Sequence, residues 1–169
     1  MKVKTLCILA GLILGIASLS LADDGPYPVR VDITEKSGRV IQGMVRGHVM
    51  NIDQPTAWGG SDSAPTPPET FAFAVGACVV STARLVAMLE NISIRSISAS
   101  VDGSIDFAKA LGKPGNNRAG YAGLDVAITL DSDLSEDEAT RFLEAVKERC
   151  PLCDNVATTT PLALTLQKD

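Results

Sequence analysis

The chain has 169 residues, of which 46% are hydrophobic and 21% charged, and its formal net charge is −5. This composition is that of one globular domain and excludes a disordered chain. The negative charge and the lack of a basic stripe argue against nucleic-acid binding, because phosphate-binding domains need clustered lysine and arginine.

The sequence begins with MKVKTLCILAGLILGIASLSLADD, which has the pattern of an export signal. Lys2 and Lys4 precede an apolar run, and Ser20-Leu21-Ala22 places small residues at the two positions that signal peptidases recognise. An uncleaved membrane anchor is the alternative, since the run is close to the length that spans a bilayer. We expect a signal peptide over 1–22, a single domain over 23–169, and export to the periplasm with no membrane attachment after cleavage.

Cleavage after Ala22 would remove Cys7 and leave Cys78, Cys150 and Cys153. In an oxidising compartment three cysteines make an odd count, one pair plus one leftover thiol. Such a count is too low for a disulfide scaffold and indicates redox chemistry.

Short alternating apolar patterns predict two or three antiparallel strands near the start of the mature chain. The loop Asp53 to Pro67 follows them and is rich in the glycine, proline, serine and aspartate of turns. The predicted strands cover Val29 to Ile33, Val40 to Gly43 and Gly47 to Ile52.

A capping box predicts the start of the longest helix. Thr66 suits the cap position, Pro67 the first helical position, and Glu69 completes the box. The helix is predicted to run to about Glu90, with Asn91 as its stop.

This helix is apolar on nearly all sides, since Arg84 is its only charged residue between Phe71 and Leu89. Its length would also suffice for a membrane span. The polar residues Ser81 and Thr82 and the lack of flanking basic residues favour a helix buried in a protein core.

Two further strands are predicted, Ile92 to Val101 and Leu124 to Leu130, separated by the long connection Asp106 to Gly123. The apolar phase slips between Ile94 and Ile97, which predicts a bulge.

A second capping box, Ser135 with Glu138, predicts an amphipathic helix that Pro151 ends. The segment Leu162 to Leu166 is predicted to be a last strand. The apolar positions of the amphipathic helix are Ala139, Phe142, Leu143, Val146 and Cys150.

Strands, an apolar helix, strands, an amphipathic helix and a strand make an α+β domain. A helix that is apolar on all sides needs more cover than one small sheet provides. An intertwined dimer that buries this helix between two subunits is therefore our hypothesis.

Cys78 lies nine residues after Glu69, which separates the two by about 13 Å along the helix and places them on opposite sides of it. They cannot touch within one helix. Taken alone, Cys78 is explained as a small core residue and Glu69 as part of the cap.

Cys150 and Cys153 form a CxxC pair at the predicted end of a helix, where the dipole disfavours an anion, so a thioredoxin-like motif is poorly supported. A zinc knuckle would need a second pair of cysteines. His48, the only histidine, has no triad or ligand cluster to join. Arg39 and Arg46 stand in strand-like segments, where solvated side chains are the rule.

Four sequence features, in this order, resemble the OsmC/Ohr family: VRGHVMNIDQP, AWGGSDSAPTPPETFAFAVGAC, the late amphipathic helix and ERCPLCDNV. The resemblance covers about Val29 to Leu166. It implies an OsmC-like fold, with antiparallel sheets wrapped around a long buried central helix in an intertwined homodimer whose two sites lie at the interface.

The resemblance also implies a thiol-dependent peroxidase that reduces organic hydroperoxides without a cofactor or metal. Cys78 matches the cysteine that attacks the peroxide, and Cys150 the cysteine that resolves the sulfenic acid. Glu69 matches the glutamate that pairs with a thiolate-stabilising arginine, which is Arg46 or, as the alternative, Arg39.

The extra thiol of Cys153 leaves a Cys150–Cys153 pair open, and the reductant would be an external dithiol. Phe71, Phe73 and Val79 would supply apolar walls for the substrate. The alternative function is a non-catalytic dimer that binds an apolar ligand, with its cysteines in a structural disulfide.

Overall fold

The structure, a computed structural model, describes residues 25–168. The predicted signal peptide and Cys7 lie outside the described residues. The chain divides into two units, Met1–Val31 and Asp32–Asp169. In the first unit the described residues 25–31 contain no helix or strand.

The second unit is a mixed α+β arrangement with two small antiparallel sheets and one long helix. A short 3-10 helix, Thr56–Trp58, lies in the loop after the first sheet. The elements are, in chain order, β1 (Asp32–Glu35), β2 (Ile41–Val45), β3 (His48–Ile52), α1 (Pro67–Leu89), β4 (Ile94–Ile105), β5 (Tyr121–Ser132), α2 (Glu136–Arg149) and α3 (Pro151–Ala157).

The first sheet has the strand order β1-β2-β3. Arg46 and Gly47 join β2 to β3 and both have positive φ, 48° and 83°, as a two-residue hairpin turn requires. The three predicted strands are confirmed, but the first begins at Asp32 and not at Val29.

The strand register gathers apolar side chains on one face of this first sheet. None of its strands packs extensively on α1, β4, β5, α2 or α3. The face therefore stays uncovered to a large extent within one chain. Its apolar residues are Ile33, Ile41, Val45, Met50 and Ile52, of which Ile33 and Met50 are exposed.

The helix α1 begins and ends as predicted. The hydroxyl of Thr66 accepts from the backbone N–H of Glu69, and the Glu69 carboxylate accepts from the Thr66 backbone N–H. Glu90 caps the other end, and Asn91 then turns the chain with a φ of 55°.

One chain buries only one side of α1, which modifies the expectation of a helix buried all round. The inner side packs on β4, α2 and α3. By length and composition alone α1 would span a bilayer, and 39% of its most apolar stretch is buried within the chain. The outer side carries exposed apolar residues, namely Phe71, Phe73, Leu85, Met88 and Leu89.

The second sheet pairs β4 with β5, and its inner face lies against α1 and α2. The predicted bulge is confirmed by a register shift between Ile94 and Ser96. α1 approaches β4 closely at Gly76, where an added Cβ would lie 2.7 Å from Cγ2 of Val101. Both strands are longer than predicted.

The helix α2 has the predicted capping box, formed by Ser135 and Glu138. Cys150 ends α2 and is at the same time the N-cap of α3. The prediction that Pro151 simply ends a helix is wrong in this respect. Proline suits a first helical position, so Pro151 ends one helix and opens the next.

The predicted last strand, Leu162 to Leu166, is wrong for this chain, because the segment forms no strand in the structure. Alternation is a local property, whereas a strand needs a neighbour that pairs with its backbone. No described strand lies beside this segment. Its leucines Leu162, Leu164 and Leu166 are 85% to 90% exposed.

Candidate active site

The folding of α2 and α3 onto α1 brings three cysteines together, although they are far apart in sequence. Cys78 lies in the middle of α1 and is half-buried, Cys150 is only 1% exposed, and Cys153 is half-buried in the first turn of α3. All three are free thiols. We call Cys78, Cys150 and Cys153 the thiol cluster.

Cys150 holds the centre of the thiol cluster. Cys78 and Cys153 both pack against Cys150, and the thiols of both, with the backbone N–H groups of Leu152 and Cys153, act to lower the pKa of Cys150. Cys150 affects the pKa of Cys153 more strongly than Cys78 does. The sulfur of Cys150 is thus the shared partner of two flanking thiols.

These contacts set the ionisation of the thiol cluster. Burial raises the pKa of Cys78 above its usual value, against hydrogen bonds from the Leu152 backbone and the Thr82 hydroxyl. Burial also acts to raise the pKa of Cys150, but the neighbouring N–H groups and thiols favour its thiolate, outweigh burial and leave this pKa lowered. Burial, followed by the neighbouring Cys150, raises the pKa of Cys153 to about 11.

The lowered pKa of Cys150 corrects the expectation that a helix end leaves this cysteine without stabilisation. The sequence argument considered only the end of α2. The structure adds α3, whose first backbone N–H groups face the sulfur of its N-cap Cys150 closely enough to favour the thiolate.

Glu69 stands at the entrance of α1 and does not meet Cys78. The regular helix between them keeps the two about 13 Å apart. The Glu69 carboxylate accepts from the backbone N–H and the hydroxyl of Thr66, each at 2.7 Å, and these bonds lower its pKa. Glu69 therefore acts as a cap within this chain.

The two candidate arginines are also distant from the thiol cluster. Arg46 lies at the tip of the β2–β3 turn with an exposed side chain, and Arg39 lies before β2, where its Nε is 3.8 Å from the Cβ position of Gly59. Among the described residues, no arginine belongs to the groups that shift the pKa of Cys78 most strongly. Within residues 25–168 the structure brings Cys78 and Cys150 together. Arg46 and Glu69, the other two predicted site residues, do not join them.

Two hollows border α1 on opposite sides. The inner cavity, about 400 Å³, lies between α1, β5, α2 and α3 and has Cys153 in its wall. The outer groove, about 810 Å³, runs along the exposed side of α1 and includes Glu69, Phe73 and Arg84. The other residues of the inner cavity are almost all apolar: Val75, Val79, Leu124, Val126, Ile128, Leu143, Val146, Lys147, Val156 and Ala157.

Of the predicted apolar walls, Val79 borders the inner cavity and Phe73 the outer groove. Phe71 stacks on Tyr121, with ring centroids 6.1 Å apart. These residues therefore surround α1 on both sides and do not form one pocket over Cys78.

Sequence reasoning missed Asp53, which is fully buried at the start of the loop that leads to α1. Its carboxylate accepts from the backbone N–H groups of Gln54, Ser61 and Ser63 and from both serine hydroxyls. These hydrogen bonds, led by that of the Ser61 side chain, hold the pKa of Asp53 well below its usual range. An aspartate followed by a Ser-x-Ser segment in a turn-rich loop was the available signal.

The described residues offer no group of three or more histidine, cysteine, aspartate or glutamate side chains arranged to hold a metal ion. His48 begins β3 with an exposed side chain.

The comparison with protein families identifies the chain. A sequence model of OsmC-like proteins matches residues 60–165, which is more than half of the chain. The chain belongs to the OsmC-like family. The match includes Glu69 and all three residues of the thiol cluster, and it excludes Arg39 and Arg46.

Solved structures show the same OsmC-like fold. An OsmC-like protein from Mycoplasma pneumoniae is 21% identical, with a TM-score of 0.66 over 81% of this chain and 91% of that one. An organic hydroperoxide resistance protein from Elizabethkingia anophelis is 19% identical, with a TM-score of 0.61 over 81% and 93%.

A third similar structure is the organic hydroperoxide resistance protein OhrB of Bacillus subtilis, 21% identical, with a TM-score of 0.52 over 79% of this chain and 93% of that one. Comparison with curated protein sequences gave no match. At these identities the solved structures establish the fold of this OsmC-like chain and not its activity.

Proposed function

We propose that this OsmC-like protein is an exported thiol peroxidase that reduces organic hydroperoxides, with Cys78 as the attacking cysteine and Cys150 as the resolving cysteine. The observation that carries the proposal is the packing of Cys78 against Cys150 across the junction of α1 with α2 and α3, close enough for each thiol to shift the pKa of the other. A sulfenic acid formed on Cys78 would have a thiol already beside it.

Access decides which of the two cysteines attacks. The Cys150 sulfur ionises more readily, but Cys150 is 1% exposed, so a peroxide cannot reach it without opening the core. Cys78 is half-buried and its thiol donates to the Cys150 sulfur. Cys150 as a thiolate can therefore take the proton of Cys78 and then resolve the product as a thiol.

The reaction balances in two steps. Once Cys150 has taken its proton, the Cys78 thiolate attacks the terminal oxygen of the hydroperoxide, the O–O bond breaks, and the departing alkoxide takes up a proton, which gives Cys78 sulfenic acid and an alcohol. The Cys150 thiol then attacks the Cys78 sulfur, which gives the Cys78–Cys150 disulfide and water. An external dithiol returns both cysteines to thiols and leaves as a disulfide.

Burial raises the pKa of Cys78, so a nearby cation would increase its reactivity. We assign this role to Arg46, with Arg39 as the alternative, and assign Glu69 as its partner. Within one chain neither arginine reaches Cys78, so the assignment requires a second copy that brings the site together.

A homodimer is supported by two uncovered apolar surfaces of one chain. The first is the apolar face of the β1–β3 sheet, and the second is the outer side of α1, where Phe73 is 71% exposed. Soluble monomers rarely leave contiguous apolar surfaces of this kind open. In the proposed dimer a second copy covers both surfaces, and the sheets wrap around the paired α1 helices.

The names of similar structures support the substrate class, because two of those described above are organic hydroperoxide resistance proteins. Export to the periplasm rests on the pattern of residues 1–22, with cleavage after Ala22. The dithiol reductant would then have to act outside the cytoplasm.

The test is the consumption of cumene hydroperoxide by the reduced protein, with all variants carrying Cys7→Ser so that only described cysteines remain. The parent protein should consume peroxide at least stoichiometrically. Cys78→Ser should lose this consumption by at least about a thousandfold, as expected for removal of a nucleophile. Cys150→Ser should still consume peroxide and retain a Cys78 sulfenic acid that dimedone traps.

Consumption that is unaffected by Cys78→Ser would remove Cys78 from the attacking role. Loss of consumption in Cys150→Ser but not in Cys78→Ser would assign the attack to Cys150 instead. Export is tested separately by the N-terminal sequence of the protein recovered from the periplasm, which should begin at Asp23.

The inner cavity supports a second candidate function, the binding of an apolar ligand by a non-catalytic dimer. Its volume of about 400 Å³ and its apolar wall suit a small hydrophobic molecule. This function is favoured if reduced protein consumes no peroxide and if Leu143→Trp, which narrows the cavity, displaces an apolar fluorescent probe.

A further inference from the structure

We propose that Cys153 is a second resolving cysteine, which displaces Cys78 from the Cys78–Cys150 disulfide, forms a Cys150–Cys153 disulfide and returns Cys78 to its thiol before any external reductant acts. This step rests on the proposed peroxidase function. It makes the chain able to reduce a second peroxide without being reduced itself.

The arrangement of the thiol cluster favours this sequence over a direct bond between Cys153 and Cys78. Both other thiols pack against Cys150, and Cys153 is affected more strongly by Cys150 than by Cys78. An exchange needs the attacking sulfur next to the sulfur that it attacks. Cys153 meets this condition at Cys150 and not at Cys78.

Local backbone geometry also suits a Cys150–Cys153 bond. Cys150 is the N-cap of α3, and Cys153 follows three residues later, one helical turn away. Residues three apart on a helix are neighbours on its surface. The backbone N–H of Cys153 is close enough to the Cys150 sulfur to act on its pKa, and Cys153 packs against Cys150 in the core.

Access to solvent explains what the exchange achieves. A disulfide between Cys78 and Cys150 is shielded on the Cys150 side, because Cys150 is 1% exposed. Cys153 is half-buried and borders a surface cleft of about 300 Å³ with Lys147 and Asp154 in its wall. Transfer of the oxidised pair to Cys150–Cys153 brings one of its sulfurs to a surface that a dithiol protein can reach.

The exchange is balanced and needs no added oxidant. The Cys153 thiol loses its proton and attacks the Cys150 sulfur, the Cys78–Cys150 bond breaks, and the Cys78 thiolate takes up a proton. One disulfide is replaced by another. A second hydroperoxide then oxidises Cys78 again to the sulfenic acid with release of a second alcohol, and an external dithiol later reduces the whole cluster.

Stoichiometry without reductant tests the exchange. Reduced protein carrying Cys7→Ser is titrated with cumene hydroperoxide, and the alcohol formed per chain is measured. The parent should consume about two equivalents, the second of which leaves a dimedone-reactive Cys78. Cys153→Ser should consume about one equivalent, because Cys78 stays bound to Cys150.

The bond itself is identified by tryptic peptides after one equivalent of peroxide. Trypsin cleaves after Arg46 and Arg84, which places Cys78 on the peptide 47–84. It also cleaves after Arg149 and Lys168, which places Cys150 and Cys153 together on the peptide 150–168. The parent should yield an internal disulfide in the second peptide and a Cys78 that N-ethylmaleimide modifies. Cys153→Ser should yield the two peptides cross-linked.

The outcomes separate the exchange from the peroxidase function. A parent that consumes one equivalent and gives cross-linked peptides overturns the exchange and leaves the peroxidase intact. A parent that consumes none overturns both. A Cys78–Cys153 cross-link in the parent also overturns the exchange, because Cys153 would then resolve Cys78 directly.

A second variant protects the test from misfolding. Cys153→Ala is compared with Cys153→Ser by circular dichroism and by the rate of the first peroxide equivalent, which should match the parent in both. A loss of the first equivalent in both variants would show that Cys153 supports the fold around Cys78 and would overturn its assignment as a second resolving cysteine.

Discussion

The two sides of α1 differ in how complete they are within one chain. On the inner side, α2 and α3 close over the thiol cluster, and Val79, Ala83, Val86, Phe142 and Val146 pack around it. On the outer side, the outer groove is open and apolar side chains face solvent.

In the proposed reaction, this difference separates the step that one chain can perform from the step that needs a dimer. The sulfur atoms that exchange oxidation lie in contact within one chain. The charged groups assigned to ionise Cys78, Arg46 and Glu69, lie apart from Cys78 and border open surfaces. Resolution is thus a property of the protomer, and we expect activation to be a property of the dimer.

The largest expected effect comes from shortening a buried side chain that packs on the inner side of α1. Phe142, 2% exposed, packs α2 against α1. Phe142→Ala should lower the free energy of unfolding by about 3–5 kcal/mol, because it removes a buried aromatic ring and leaves a cavity. Urea unfolding followed by circular dichroism measures the change.

The matched control on the open side is Phe73→Ala, since Phe73 is 71% exposed in one chain. It should change the stability of the protomer by less than about 0.5 kcal/mol and should weaken the dimer in sedimentation equilibrium. An unchanged association constant would show that the dimer does not use this side of α1.

The next largest effect tests whether Arg46 promotes the ionisation of Cys78. Arg46→Ala, in a background where Cys78 is the only cysteine, should slow alkylation of Cys78 at pH 7 by about ten- to a hundredfold, because burial then acts on the thiolate without a neighbouring cation. The rate of iodoacetamide modification against pH measures this, and the apparent pKa of Cys78 should rise.

Arg39→Ala is the control for this series, and it should leave the alkylation profile unchanged. If Arg39→Ala raises the apparent pKa of Cys78 and Arg46→Ala does not, the role passes to Arg39. If neither does, the arginine assignment fails and the two-cysteine chemistry stands without it.

A smaller effect is the dependence of the proposed disulfide exchange on pH. The exchange from Cys78–Cys150 to Cys150–Cys153 should accelerate with pH between pH 7 and 9, by up to about tenfold per pH unit, because the attacking sulfur must be a thiolate and burial raises the pKa of Cys153. Acid-quenched samples analysed by peptide mapping give the rate. A rate that is flat over this range would show that a step other than Cys153 attack limits the exchange.

The smallest effect concerns the helix entrances. Thr66→Ala removes the cap of α1 and should cost about 1 kcal/mol of unfolding free energy, and Ser135→Ala should cost a similar amount at α2. Thermal unfolding compares them. A clearly larger loss in Thr66→Ala would show that the contact between Thr66 and Glu69 orients a group beyond the cap.

The sequence predicted the elements whose signals are local. The capping boxes of Thr66 and Ser135 predicted the starts of the two helices, and the break in apolar alternation near Ile94 predicted the bulge. The strand predicted at Leu162 to Leu166 failed because pairing depends on a distant neighbour and not on alternation.

The site was predicted only in part for the same reason. The contact between Cys78 and Cys150 followed from family resemblance, since spacing gave no reason to join them. The position of Cys153 and the five hydrogen bonds of Asp53 depend on how distant segments fold together. The pKa of Cys150 was misjudged because Pro151 opens a second helix, whose first backbone N–H groups favour the thiolate.

The buried carboxylate of Asp53 has a consequence for how the fold responds to acid. Its lowered pKa stabilises the folded loop at every pH above the ordinary aspartate value of about 4, and this contribution fades only as the medium becomes far more acidic. The segment that leads into α1 therefore stays folded at acidic pH values at which carboxylates without such hydrogen bonds are already protonated. An asparagine of the same size would turn an amide N–H toward those donors and forfeit this acid tolerance.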